Sequence, residues 1–389
     1  MLRPLRFFLV LVGAMVITPA AAEPCENDFA VLDANFIGAR MSACKAKKKK
    51  FIIEISPENE PINPSPWYSF RVTPKQPGQL SVQINYKGAK HRYRPKRSAD
   101  AQRWQLIDAD HVREYRKGKR LSLDLNMDAE PFIVSAQELL LSEAYNNWIA
   151  DIAERTDLST HKIGESVEGR PLMALKSTPD AESGKKEYVL FVGRQHPPEV
   201  TGALAMLPFL ETVFADTDLA NAFRARFNII AVPLMNPDGV DNGHWRHNMN
   251  GVDLNRDWGP FTQPETQSIK RMLDEIAEDD NSTFRLLFDF HSTQRNVFYT
   301  QFKDVETNPP KFTAKWLEGA RERLKGYEFE RAERETTDLA TSKNYVNRRF
   351  GAPAITYELG DQTDRAQIIT SAKVFAEEMM ETLLSYDEE

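Results

Sequence analysis

The chain has 389 residues, 41% hydrophobic and 28% charged, with 50 Lys and Arg against 57 Asp and Glu. That is enough apolar residues for a sizeable core and more length than one usual domain needs. The net charge of −7 argues against nucleic acid as a partner, because a polyanion calls for a basic footprint.

The N-terminus has its own texture. MLRPLR carries two arginines, FFLVLVGAMVI is a short apolar run, and TPAAA ends in small residues. This is an export-signal pattern over residues 1–22, with cleavage expected after Ala22. The run is too short for a comfortable membrane span, so no stable membrane insertion is expected, and the mature chain is placed in the periplasm or outside the cell. Without Arg3 and Arg6, 48 basic residues face 57 acidic ones, a net charge of −9. The basic run at 45–51 adjoins a strand pattern and reads as a solvated loop or edge. Cys25 and Cys44 are the two cysteines, and in an exported chain they predict one disulfide.

From about 26 to 135 the sequence predicts β structure. FIIEI, WYSFRV, LSVQINY, HRYRP, RWQLI, RLSLDL and PFIVS are short, often alternating and rich in β-branched or aromatic residues, with turn residues between them. Seven such runs predict an all-β sandwich domain over residues 23–135. At about 136 the pattern changes. SAQELLLSEAYNNWIADIAERT has helical periodicity, with Ser135 as a candidate N-cap. Strands (PLMALKS, EYVLFVG, FNIIAVPLM, FRLLFDF, AITYEL) then alternate with helices (ALAMLPFLETVF, PETQSIKRMLDEIAEDD, FTAKWLEGARERLKG, AQIITSAKVFAEEMMETLLSY). This predicts an α/β domain over 136–389, a mixed, mostly parallel sheet sandwiched by helices. In such sheets sites gather at the C-terminal ends of strands.

The strand ends carry the chemistry. GRQHPPEVTG places His196 and Glu199 three apart where a strand hands over to a helix, and FRLLFDF runs into His291. His, Glu and a distant His form the ligand set of a catalytic zinc site, which leaves a fourth position open. NPDGVDNGHWRHNMNGVDLNRDW at 236–258 is dense in polar groups, and AITYELGD puts Glu358 at one more strand end. No G-x-S-x-G elbow or H-E-x-x-H pair is present, which disfavours a serine hydrolase and a zincin.

HPPE, WR, GVDLNRDW, DFHS and TYEL, in this order, resemble the zinc carboxypeptidase family that includes carboxypeptidase A. GESVEGRPL at 164–172 looks like the hairpin that opens its catalytic domain, and the resemblance covers about residues 140–389. PSPWYSFRV, inside the β-rich half, is similar to the cytosolic carboxypeptidase subgroup, some of whose members trim glutamates from proteins. Those members are usually not exported, which sets this chain apart.

The resemblance implies one Zn2+ per chain on His196, Glu199 and His291, with Asp253 accepting the other ring N–H of His196. It implies Glu358 as general base and then general acid, acting on a zinc-bound water. Arg246 would stabilise the oxyanion. Asn255 and Arg256 would clamp the terminal carboxylate of a peptide or protein substrate. Ser292 would donate to the substrate.

In the carboxypeptidase A pattern the base of the specificity pocket lies fifteen positions before the general base, which is Lys343 here. An ammonium there would favour a C-terminal Glu or another side-chain carboxylate, diaminopimelate included. A one-residue loop difference would put Ser342 or Asn344 in its place. The family's substrate-capping Tyr would fall at Thr336, with Tyr327 and Tyr345 as substitutes. His244 and His247 are read as loop residues rather than ligands. Two alternatives stand beside a carboxypeptidase: a zinc amidohydrolase acting on cell-wall peptides or N-acyl amino acids, and a non-catalytic peptide-binding module.

Overall fold

The computed structural model describes residues 25–155, 158–177, 185–334 and 338–386. The expected leader at 1–22 and Thr336 lie outside the described residues.

Among the described residues the β-rich half contains eleven strands. In chain order they are β1 (Cys25–Glu26), β2 (Ala30–Asp33), β3 (Ala43–Lys47), β4 (Lys50–Ile55), β5 (Ser69–Pro74) and β6 (Gly78–Tyr86). There follow β7 (Lys96–Ser98), β8 (Gln105–Leu106), β9 (Val112–Tyr115), β10 (Arg120–Met127) and β11 (Phe132–Ser135). They form a six-stranded sheet ordered β1-β2-β5-β11-β7-β8 and a five-stranded sheet ordered β3-β4-β6-β10-β9. Alternation drives this packing. In β10, Leu121, Leu123, Leu125 and Met127 point inward, while Ser122, Asp124 and Asn126 do not. Together with Phe51, Ile53, Tyr68, Phe70, Val82 and Ile84 they make one apolar core. The Cys25–Cys44 disulfide joins β1 of one sheet to β3 of the other.

HRYRP is not a strand. Tyr93 is buried, and Arg92 turns away to Asp361, Ser65 and the carbonyl of Ser292. The helix expected from Ser135 also begins late, as α1 (Ser142–Arg155). Ser135 closes β11 instead, and residues 136–141 stay irregular because they are held from outside. Ala136 N–H donates to Tyr68, and the Gln137 amide donates to the Asp361 carbonyl. Ser142 starts the helix by donating its N–H and hydroxyl to Asp241.

The remaining strands are β12 (Ser159–Glu165), β13 (Pro171–Ser177), β14 (Lys186–Gly193), β15 (Phe227–Val232), β16 (Ser282–Thr293), β17 (Val297–Thr300), β18 (Glu330–Glu333) and β19 (Ala354–Gly360). They form one sheet ordered β12-β13-β15-β14-β16-β19-β17-β18. β15, β14, β16 and β19 run parallel at its centre; β13 joins β15 and β17 joins β19 antiparallel, and β18 pairs parallel with β17 at the far edge. The central strands are apolar on both faces, as helix-covered parallel strands must be. The helices are α2 (Val200–Val213), α3 (Asp218–Arg226), α4 (Pro237–Asp241), α5 (Pro264–Glu278), α6 (Phe312–Arg323), α7 (Ser342–Phe350) and α8 (Arg365–Leu384). Phe191, Phe288 and Tyr357 face α2, α6 and α8, whereas Leu190, Leu287 and Ala354 face α5 and α7. Among the described residues no single helix is long and apolar enough to cross a membrane.

Candidate metal centre

Strand alternation decides which side chains reach the site. Phe288, Phe290, Ile355 and Tyr357 take one face of the sheet, so Asp289, His291, Thr356 and Glu358 take the other. The parallel register sets His291 directly beside Glu358. The third contribution comes from the turn after β14. Arg194 adopts a left-handed φ of 54° and donates Nε–H to the Pro197 carbonyl at 2.9 Å. Glu199 then stands immediately before α2.

The ligand atoms of His196, Glu199 and His291 lie within 4.8 Å of one another, and all three residues are buried. His196 Nδ1 is 2.9 Å from Glu199 Oε1, and His291 Nδ1 is 2.7 Å from Glu199 Oε2. The opposite ring nitrogens are anchored. His196 Nε2 meets Asp253 Oδ1 at 2.8 Å, and His291 Nε2 meets Asp289 Oδ2 at 2.9 Å. Each carboxylate therefore selects the tautomer that turns the Nδ1 lone pair toward the common centre. Two imidazole nitrogens and one carboxylate oxygen are the donors Zn2+ prefers, so this set fits the metal. Burial opposes the charge on Glu199, but His196 and His291 outweigh it and hold the carboxyl well below its usual range. Burial likewise opposes protonation of His291, and Asp289 and Glu199 override it, raising its pKa well above the ordinary value.

Asp289 escaped the sequence reading. It is the carboxylate two residues before His291 on the same strand face, a signal that alternation makes available. It also accepts from the Gln195 amide at 2.7 Å and from the Ser342 hydroxyl.

The other expected residues gather around one cavity of about 310 Å³, lined by the triad, Glu358, Arg246, Asn255, Arg256, Ser292 and Lys343. Glu358 Oε2 is buried and has no hydrogen-bond partner among the described residues. Burial, reinforced by the Glu199 charge, pushes its pKa up to about 7. Arg246 donates Nε–H to Asp253 Oδ2 at 2.6 Å, and its Nη1 lies 3.9 Å from Glu199. Asn255 accepts the Ser342 N–H through Oδ1, and its amide nitrogen stands 3.1 Å from His291 Nε2. Arg256 is exposed and donates to the Asn255 carbonyl.

Ser292 is engaged with the protein. Its Oγ accepts from the Gly202 N–H and the Thr201 hydroxyl, both at 2.8 Å, tying the first turn of α2 to β16. Lys343 lies in the first turn of α7, capped by Thr341, and donates Nζ–H to the Arg334 carbonyl at 2.8 Å. Ser342 and Asn344 are turned to Asp289 and the Leu339 carbonyl instead. Tyr345 packs on Trp258 and Phe261, and Tyr327 against Phe329 and Phe375, both away from the cavity. The tyrosine that lines the cavity is Tyr299, with the Arg334 guanidinium over its ring. Sequence spacing did not expose it, because Tyr299 arrives on a separate strand, β17, which lies between β19 and β18.

Gly202 packs directly on the backbone of a ligand residue. A Cβ there would lie 2.4 Å from the His291 carbonyl oxygen and 2.9 Å from its nitrogen, backbone on both counts. Gly202→Ala is expected to cost about 1–3 kcal/mol through overpacking and to weaken zinc binding by displacing His291. Thermal melting and zinc titration of the variant check both effects.

Comparison with known proteins gives the same reading. The family model described as Zinc carboxypeptidase matches residues 145–384. An uncharacterized protein of Zymomonas mobilis is 24% identical over 348 residues, 84% of this chain and 87% of that protein. Mouse cytosolic carboxypeptidase 6 is 28% identical over 145 residues, 35% of this chain and 27% of its own length. The chain thus spans about a quarter of that relative. A metallo-carboxypeptidase from Burkholderia cenocepacia superposes with a TM-score of 0.76 at 18% identity, covering 91% of this chain and 98% of that one. One from Pseudomonas aeruginosa gives 0.72 at 16% identity, covering 90% and 98%.

Proposed function

Because the chain belongs to the zinc carboxypeptidase family, we propose that it is an exported enzyme that removes single residues from peptide C-termini and prefers an acidic last residue. His196, Glu199 and His291 hold the Zn2+, with Asp253 and Asp289 behind the two histidines. The bound ion supplies a Lewis acid that acidifies water and polarises a carbonyl. Glu358 takes the proton of the attacking water as the new C–O bond forms. It returns that proton to the amine nitrogen as the C–N bond breaks. Arg246 stabilises the negative charge that develops on the carbonyl oxygen. Arg256 and Asn255 receive the terminal carboxylate, which restricts cleavage to the last bond. Export is supported by the leader pattern at 1–22 and by the Cys25–Cys44 pairing.

The observation that carries the acidic preference is Lys343, a buried side chain that lines the same cavity as Glu358. The other basic groups there are Arg92, Arg246, Arg256 and Arg334, whereas its carboxylates are Glu199 and Glu358. A substrate carboxylate entering this field gains a desolvated partner, and an apolar or basic side chain does not.

Lys343→Ala is expected to lower kcat/KM for a peptide ending in Glu by about 30-fold or more, the low end of 2–5 kcal/mol for truncating a buried charge partner. The value for the same peptide ending in Phe stays within a few-fold. Competition between the two peptides, read by mass spectrometry, measures the ratio. An unchanged Glu-to-Phe ratio removes Lys343 from the pocket. A wild-type preference for Phe or Lys removes the acidic specificity and keeps the peptidase.

A further inference from the structure

Arg246 belongs to a segment, 243–251, that is folded against the β-sandwich. Gly243 has a left-handed φ of 62°, and a Cβ there would lie 2.7 Å from the Ala39 carbonyl oxygen. Trp245 is fully buried within the apolar cluster of the sandwich and donates its indole N–H to the Trp67 carbonyl at 3.0 Å. The carboxylate of Glu58, just past β4, accepts three successive backbone N–H groups. Trp245 donates to Oε2 at 2.7 Å, and Arg246 and His247 donate to Oε1 at 2.9 and 2.7 Å. Asn59 adds two contacts, Oδ1 to His247 Nδ1 at 2.8 Å and Nδ2–H to the Gly251 carbonyl at 3.2 Å.

Consecutive amides converging on one anion form a concave binding site for negative charge, and hydrogen bonds to an ionised acceptor are short and strong. Burial favours the neutral acid at Glu58, but the N–H groups of His247 and Trp245 outweigh it and keep the carboxyl below its ordinary range. Arg246, on its other side, serves the metal centre. Arg246 Nε–H reaches Asp253, whose second oxygen holds His196. The chain of contacts therefore runs from the sandwich carboxylate through the backbone at 245–247 to Arg246, Asp253 and a metal ligand.

We infer that Glu58 is a positioning residue for Arg246: by fixing the 245–247 backbone it aims the guanidinium at the reacting carbonyl, and through it the β-sandwich takes part in the reaction. This rests on the role proposed above for Arg246. A contact that merely glued the two halves together would contribute stability without singling out one catalytic group. Glu138 provides such a comparison: its carboxylate lies 3.7 Å from the ammonium of Lys96 on β7 of the sandwich and pairs with Arg365 at 2.9 Å, away from the Arg246 segment.

The test is a double-mutant cycle in the full chain with zinc bound, using a blocked peptide ending in Glu. Glu58→Gln is expected to lower kcat about 10-fold, below the roughly 100-fold that a 1 Å misplacement costs, with KM within about threefold. In an Arg246→Ala background the same change costs nothing further, because its effect passes through Arg246. Glu58→Asp, which keeps the charge, falls between wild type and Glu58→Gln. Hydrogen exchange at 244–248 rises in Glu58→Gln, and Glu138→Gln lowers Tm without changing kcat. An equal kcat loss from Glu58→Gln in both backgrounds, or no loss in either, overturns the inference. An Arg246→Ala variant with wild-type kcat overturns the proposed role of Arg246 itself.

Discussion

Glu358→Gln is expected to lower kcat by about 10²–10⁴-fold, the range for removing a general acid–base, while zinc stays bound at one per chain. The substitution keeps the shape of the side chain and removes its ability to take a proton. Glu358 lies near a strand end, and no donor among the described residues bonds its buried Oε2. Burial and the Glu199 charge push its pKa up to about 7, so the basic carboxylate form is lost as pH falls below that value. A bound dication favours the carboxylate and moves this loss to lower pH. Steady-state kinetics together with metal analysis read both expectations. A variant with zinc bound and kcat within tenfold of wild type would take Glu358 out of the proton transfer.

His291→Ala is expected to abolish both zinc retention and turnover, through two effects. It deletes one of the three donors that converge within 4.8 Å. It also leaves Glu199 and Asp289 without the imidazole now 2.7 and 2.9 Å from them. Breaking a buried charged pair by removing one partner costs about 3–5 kcal/mol, so the metal-free variant melts well below the metal-free parent. Metal analysis after dialysis and a thermal melt check the two effects separately. Full zinc occupancy with unchanged affinity would show that the metal is held elsewhere.

The sequence made legible what is local. HPPE, DFH and YEL each sit at the end of an apolar strand, and the register of parallel strands then brings them together. The sandwich core was legible too, because alternation in stretches such as RLSLDL states which face is buried. Other features depend on partners far along the chain. Residues 136–141 have a helical pattern but are claimed by Tyr68 and Asp361. Helix α7, SKNYVNRRF, opens on the buried polar residues Ser342, Lys343 and Asn344 before it reaches the buried Val346. Ser342 and Lys343 face the polar site and Val346 packs on the apolar layer, so the hydrophobic period that marks an ordinary surface helix is cut short. Glu58 lies 188 positions from Arg246 and resembles any loop glutamate until the fold closes on it. His244 and His247, read as plain loop residues, are both buried, His247 on Asn59 of the sandwich and His244 on the His247 carbonyl.

The most direct test pairs one peptide ending in Glu with its C-terminal amide and incubates both with the zinc-loaded chain. Mass spectrometry follows the products. The free acid is predicted to lose its last residue only, and the amide to stay intact, because Arg256 and Asn255 demand a terminal carboxylate. Equal cleavage of the amide, or cuts within the peptide, would contradict a carboxypeptidase and return the site to an amide hydrolase of different reach.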